Sequence, residues 1–128
     1  MKTKLTAEKI LERFDHMLRK RKLPASVTSM HWGLQIQPGW YNIIWDMCLK
    51  IEKILKLTKN TKFAFRQIKE KFGAGRFYCS GSNDKIDRII HKAERLCGKT
   101  CEVCGRPGKV EDVCGWKVAV CSVHKKRM

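Results

Sequence analysis

Trp40-Tyr-Asn-Ile-Ile-Trp-Asp-Met-Cys-Leu-Lys-Ile-Glu-Lys-Ile-Leu-Lys-Leu-Thr58 is the stretch around which the chain must fold. Trp40, Ile43, Ile44, Met47, Ile51, Ile54 and Leu55 recur at three- and four-residue steps, the period of one helix face. Trp45 and Cys48 widen that face, while Lys50, Glu52 and Lys53 take the others. So much apolar circumference predicts a central helix over Trp40–Thr58, buried on two sides, with its Trp and Met residues read as core. Ile44, Met47 and Ile51 are expected to pack against Phe14, Ile89 and Ile90.

The flanking segments supply the partners. Ile10, Leu11, Phe14, Met17 and Leu18 trace a helix from Thr6, a candidate N-cap, to about Lys22, with Pro24 closing it. Its last turn, Arg19-Lys20-Arg21-Lys22, reads as part of a general basic surface. Residues 23–39 carry Pro24, Gly33, Pro38 and Gly39, and read as a loop anchored by Val27, Met30, Trp32 and Ile36, with His31 an ordinary polar loop residue. Phe63-Ala-Phe-Arg-Gln-Ile68 and Arg76-Phe-Tyr-Cys79, around Gly73-Ala-Gly75, read as a hairpin. No Gly-Lys-Ser/Thr ending makes those glycines a phosphate loop. Ile86, Ile89, Ile90, Ala93 and Leu96 mark a third helix that Gly98 ends.

The C-terminal stretch holds Cys101-Glu-Val-Cys104-Gly and, sixteen residues on, Cys121-Ser-Val-His124. A two-residue gap turns a pair of donors toward one point, and two such knuckles supply the four soft ligands that tetrahedral zinc prefers. Lys109-Val-Glu-Asp and Trp116-Lys-Val-Ala-Val can pair as strands about Gly115, which describes a zinc ribbon. Four protein ligands leave no position for water, so a structural zinc at Cys101, Cys104, Cys121 and His124 is expected. Cys114 and Cys97 compete as ligands should His124 be free, and Cys48 and Cys79 read as small core residues. The fold class is therefore α+β: three helices packed with a small β hairpin, plus a C-terminal zinc ribbon. Residues 1–98 form the core domain, and 99–128 the ribbon with its basic tail.

Charge points to the partner. The 128 residues carry 28 Lys and Arg against 12 Asp and Glu, a net +16. The centre, 23–55, is neutral, whereas 56–76 holds seven bases and one acid. Self-repulsion of this size usually marks a polyanionic partner, the alternative being a lysine-rich composition in which solvated faces drift basic. The expected nucleic-acid contacts are Lys62, Arg66, Lys69, Lys71 and Arg76, joined by Lys109, Lys117, Lys125, Lys126 and Arg127. Phe63, Phe65, Phe72, Phe77 and Tyr78 lie among or beside these bases. A core this small needs most of those rings, so at most one or two are expected to be exposed. Little sequence preference is expected unless Phe72, Tyr78 or Trp116 is exposed to stack on bases.

Gly39-Trp40-Tyr41 before a helix, Ile68-Lys-Glu-Lys-Phe-Gly-Ala-Gly-Arg-Phe-Tyr78, Cys101-x-x-Cys104, Gly115-Trp116 and Cys121-x-x-His124 resemble a family of small uncharacterised bacterial and prophage proteins. The likeness covers roughly residues 39–124 and implies a phage or mobile-element setting. The expected function is a non-enzymatic, basic, zinc-binding protein that binds nucleic acid, DNA or RNA. The alternative is a phage-encoded inhibitor of a host protein or nucleoprotein complex, such as a defence system. A nuclease is disfavoured, because no His-His or Asp-His pair with a later Asn or His forms an active centre and acids are few, and His91 with Glu94 does not match a zinc deaminase. No run of 18 apolar residues spans a membrane, acids and bases interrupt the N-terminal apolar positions, and seven cysteines suit a reducing compartment, so a cytoplasmic protein is expected.

Overall fold

The computed structural model describes residues 4–126. Within them run α1 (Ala7–Arg13), β1 (Leu34–Gln35), α2 (Tyr41–Thr58), β2 (Ala64–Lys71), β3 (Ala74–Ser80), α3 (Asp84–Cys97), β4 (Lys109–Val113), β5 (Trp116–Val120) and α4 (Ser122–Lys126). The architecture is mixed α+β, with one sheet of three strands and one of two. The three expected helices are present, joined by the short α4, which the sequence reading missed. Among the described residues no helix is long and apolar enough to cross a membrane.

α1 is less than half the length expected. Thr6 does cap it, its hydroxyl accepting from the Lys9 N–H, but the helix stops at Arg13. Further on, a competing donor keeps the helix from resuming toward Lys22. The Met17 carbonyl accepts the Phe65 N–H of β2 at 2.9 Å, so it is drawn toward the sheet rather than to a helical partner. The chain turns there and still seats Phe14, Met17 and Leu18 in the core. Arg19–Lys22 then form a 3-10 turn rather than a helix end. The Arg19 guanidinium secures that turn by donating to the carbonyls of His16, Lys62 and Phe63.

α2 is the central helix, with Ile44, Met47, Cys48, Ile51 and Leu55 buried. It packs on α3 and, through the α1 segment, on Phe14, whose ring meets Trp45 edge-on at 5.0 Å. Of the expected contacts, Phe14 and Ile90 are buried and Ile89 is half-buried at the edge of that core. Lys59 ends α2 in the left-handed region at φ 54°. Asn60 then accepts from the N–H groups of Lys62 and Phe63, aiming the chain into β2.

β2 and β3 form the expected antiparallel hairpin, with Phe72 and Gly73 as its turn at φ 52° and 80°. Positive φ at both positions suits the right-handed twist of the strands. Leu34, Ile68 and Phe77 lie in register on the inner face, and Gln35, Lys69 and Arg76 on the outer. That third strand lies inside the expected loop, whose other anchors divide. Met30 is buried and Ile36 half-buried, but Val27 and Trp32 stand exposed. His31 bonds the Leu23 carbonyl at 2.8 Å, a structural role.

Candidate functional site

Two features stand out. The first is at the C-terminal end. Cys101, Cys104, Cys121 and His124 are brought together with every ligand atom within 4.8 Å of the others. His124 Nδ1 lies 3.2 Å from Cys121 Sγ and 3.5 Å from Cys101 Sγ, and the Cys104 and Cys121 sulfurs are 3.8 Å apart. This group can hold a metal ion.

Local backbone chemistry builds the cluster. Cys101 O accepts the Gly105 N–H at 2.9 Å, closing a tight turn that Gly105 permits at φ 81°. The second pair is set by the start of α4, where Lys125 N–H bonds Cys121 O. The Cys121 thiol is held below its ordinary value by the backbone N–H groups of His124 and Val123 and by the neighbouring thiols. Burial pushes the Cys101 thiol up, but the N–H groups of Cys104, Cys121 and Val103 outweigh it and bring it below the ordinary value. Both shifts favour the thiolate that binds metals.

The rival cysteines lie elsewhere. Cys114 stands exposed in the β4–β5 turn at φ 53°. Cys97 is buried in the helical core, where burial raises its thiol to about 12. Cys48 is fully buried and Cys79 half-buried, as expected of small core residues.

The cluster is tied to α2 through Gly39 and Trp40. Gly39 N–H donates to Glu102 O at 2.8 Å, and Trp40 Nε1–H donates to Thr100 O at 2.9 Å. A Cβ on Gly39 would lie 2.2 Å from Cys101 O, so only glycine allows this approach. Glu102 is itself buried, with Oε1 accepting from Gln37 Nε2 and Oε2 without a partner. Burial, then the nearby Glu70, push its carboxyl above the usual range.

The second feature is the outer face of the three-stranded sheet. Gln67 lies opposite Tyr78, Lys69 opposite Arg76 and Lys71 opposite Ala74, so one face carries three bases and a tyrosine. Arg66 falls at the register shift between Phe65 and Gln67 and is exposed. Lys62 is exposed just before β2, and Lys117 on β5 beside Trp116. Among the described residues none of Lys62, Arg66, Lys69, Lys71, Arg76 or Lys117 forms an ion pair. Lys109 and Lys125, by contrast, both pair with Glu111. The Lys126 side chain and Arg127 lie outside what is described.

Phe63, Phe65 and Phe77 are buried, while Phe72 and Tyr78 are exposed, within the limit expected. Phe72 and Trp116 sit 6.0 Å apart, joining the tips of the two hairpins, with Lys71 5.9 Å from the Phe72 ring centroid. Lys20 also belongs to this side. It lines a groove with Arg66 and Tyr78, a placement no sequence signal carried because it depends on the α1 segment turning back. No family model matches the chain, and neither a curated protein nor a solved structure does.

Proposed function

We propose that this chain is a non-enzymatic nucleic-acid-binding protein whose C-terminal hairpin is a zinc ribbon. Zinc bonds of about 2.3 Å to sulfur and 2.0–2.1 Å to nitrogen give tetrahedral edges of about 3.8 Å between sulfurs and 3.5 Å between sulfur and nitrogen. The separations of 3.8, 3.5 and 3.2 Å among Cys101, Cys104, Cys121 and His124 fit that donor set. Zinc held by these four residues would be coordinatively full and would act as a structural staple.

The observation that carries the binding reading is the row of cations on the outer sheet face that form no ion pair among the described residues. Lys69, Arg76 and Lys71 stand together beside exposed rings, while the acids Asp15, Glu52 and Glu111 are engaged elsewhere. Cations kept free of carboxylates are available to phosphates, and binding them releases counterions. Phage or mobile-element origin is part of the same reading, through the resemblance of the Gly39-Trp40 and cysteine motifs.

Fluorescence anisotropy against salt tests it. Affinity should fall steeply as salt rises, and a Lys69→Gln, Lys71→Gln, Arg76→Gln variant should flatten the log–log slope by about 2 to 3. Absence of binding tighter than about 10⁻⁴ M at low salt overturns the reading. The inhibitor that docks on a host protein then takes its place.

A further inference from the structure

Segment 19–30 does more than connect. It lies along β2, where the Thr28 hydroxyl donates to Arg66 O at 3.3 Å, and its outer side forms one wall of a groove of about 540 Å³. Lys20, Leu23 and Val27 line it from that segment, and Arg66, Gln67 and Tyr78 line it from the sheet. That volume lies within the roughly 300–1,000 Å³ of ligand sites. Tyr78 is 48% exposed on its β-strand, so its side chain is accessible to a ligand in the groove. Gln67, its cross-strand partner, gives an amide proton to Gln35 at 3.1 Å. The rest of its amide capacity is left for a ligand in the groove.

We infer that this groove is a single-strand subsite, in which an unstacked nucleobase lies on Tyr78 while Lys20 and Arg66 hold the flanking phosphates. The inference rests on the nucleic-acid reading and narrows it to single-stranded substrate. The reason is steric and electronic. A duplex hides its base faces in the stack and presents only phosphates and groove edges, so it has nothing to place on a ring inside a walled groove. A single strand offers both at once, a π face and a phosphate on each side. The outer sheet face continues the path, because Lys69 and Arg76 lie next along the strands from Gln67 and Tyr78. Lys20 and Arg66, like Lys69 and Arg76, form no ion pair among the described residues. The path is therefore uniformly positive. Stacking tolerates any base, so the groove selects strandedness rather than sequence.

The test is anisotropy with oligothymidylate, oligouridylate and a duplex, each about 20 nucleotides, longer than the roughly 4–16-nucleotide sites of single-strand-binding folds. The full chain should bind single strands more tightly than duplex at equal salt. Tyr78→Ala should weaken single-strand binding by roughly 10- to 100-fold, leave duplex binding unchanged, and be rescued by Tyr78→Phe. Comparing the thymidylate and uridylate arms then tells which sugar is preferred, and tighter binding of either than of duplex supports the subsite. Circular dichroism of Tyr78→Ala checks that the sheet is intact, and Arg66→Gln, also exposed, gives a second variant expected to weaken single-strand binding. Equal affinity for duplex and single strands, with Tyr78→Ala silent, overturns the subsite while salt-dependent binding keeps the parent reading alive. Binding to none of the three overturns the parent reading and the subsite with it.

Discussion

Gly39 shows how one residue can join two parts of this molecule. Its N–H reaches Glu102 O, and its missing side chain lets the Cys101–Glu102 backbone come within contact distance. The atoms a methyl group would meet are carbonyl oxygens and carbonyl carbon, which cannot rotate aside as a flexible side chain can. Gly39→Ala should therefore destabilise the protein by at least about 1–3 kcal/mol, the usual cost of overpacking. It should also weaken metal retention, since the atoms displaced belong to Cys101 and its neighbour. Thermal melting and a metal-release assay check this together, and an unchanged midpoint would show that the knuckle moves aside freely. The Gly-Trp pair was visible in the sequence as a motif. Its role was not, because a close backbone approach leaves no mark except the glycine itself.

At the scale of elements, the attachment of α1 to α2 is partly electrostatic. Arg13 donates two hydrogen bonds to Glu52, at 2.7 and 2.9 Å, and its guanidinium lies 4.7 Å from the Phe14 ring centroid. The hydrogen bonds from Arg13, with its charge and that of Lys56, hold the Glu52 carboxyl below its ordinary value. A depressed pKa in the folded state contributes stability that is present above the unfolded value of about 4.3 and lost as pH falls through the folded one. Both side chains are partly exposed, so solvent screening limits the contribution to about 0.5–1 kcal/mol. Glu52→Gln should thus melt earlier than the native chain at pH 7, and the gap should shrink as pH falls below about 4.3 and through the lower folded value. Urea melts across that range measure it, and a gap that persists in acid would mean the glutamine acts through packing instead.

For the whole molecule, the β4–β5 hairpin and the core share contacts as well as chain. Ala119 of β5 belongs to the main core, and a Cβ on Gly73 in the β2–β3 turn would touch Val110 and Val118 at 3.0–3.2 Å. Yet α2 and α3 bury their stripes mainly against each other, β3 and the α1 segment. Protein purified without chelator should carry one zinc per chain by elemental analysis. Stripping it should remove a staple on the order of 10 kcal/mol in zinc-finger peptides. The helical circular dichroism band should survive, with a lowered melting midpoint as Gly39 and Trp40 lose their partners. The same outcome is expected of Cys104→Ser, and a preparation free of metal would refute the zinc assignment.

What the sequence determined by itself is whatever depends on local periodicity and local spacing. The stripe of α2 and α3, the strands around Phe72-Gly73 and Cys114-Gly115, and the two C-x-x-C/H knuckles all follow from residues within a few positions of one another. The same locality explains the failures. The helix of α1 does not run on to Lys22, where Met17 O meets an N–H from Phe65, far along the chain, and β1 exists because Leu34 finds Ile68. Periodicity cannot register a partner that only folding brings near. The charge total was legible, but its use was not. Only the tertiary structure matched Lys109 and Lys125 with Glu111 and left Lys69, Lys71 and Arg76 without an ion pair among the described residues. Only it turned the segment at 19–30 onto β2 to make the groove before Tyr78. Pairing and concavity are relations between distant segments, and the hydrophobic core decides which segments meet.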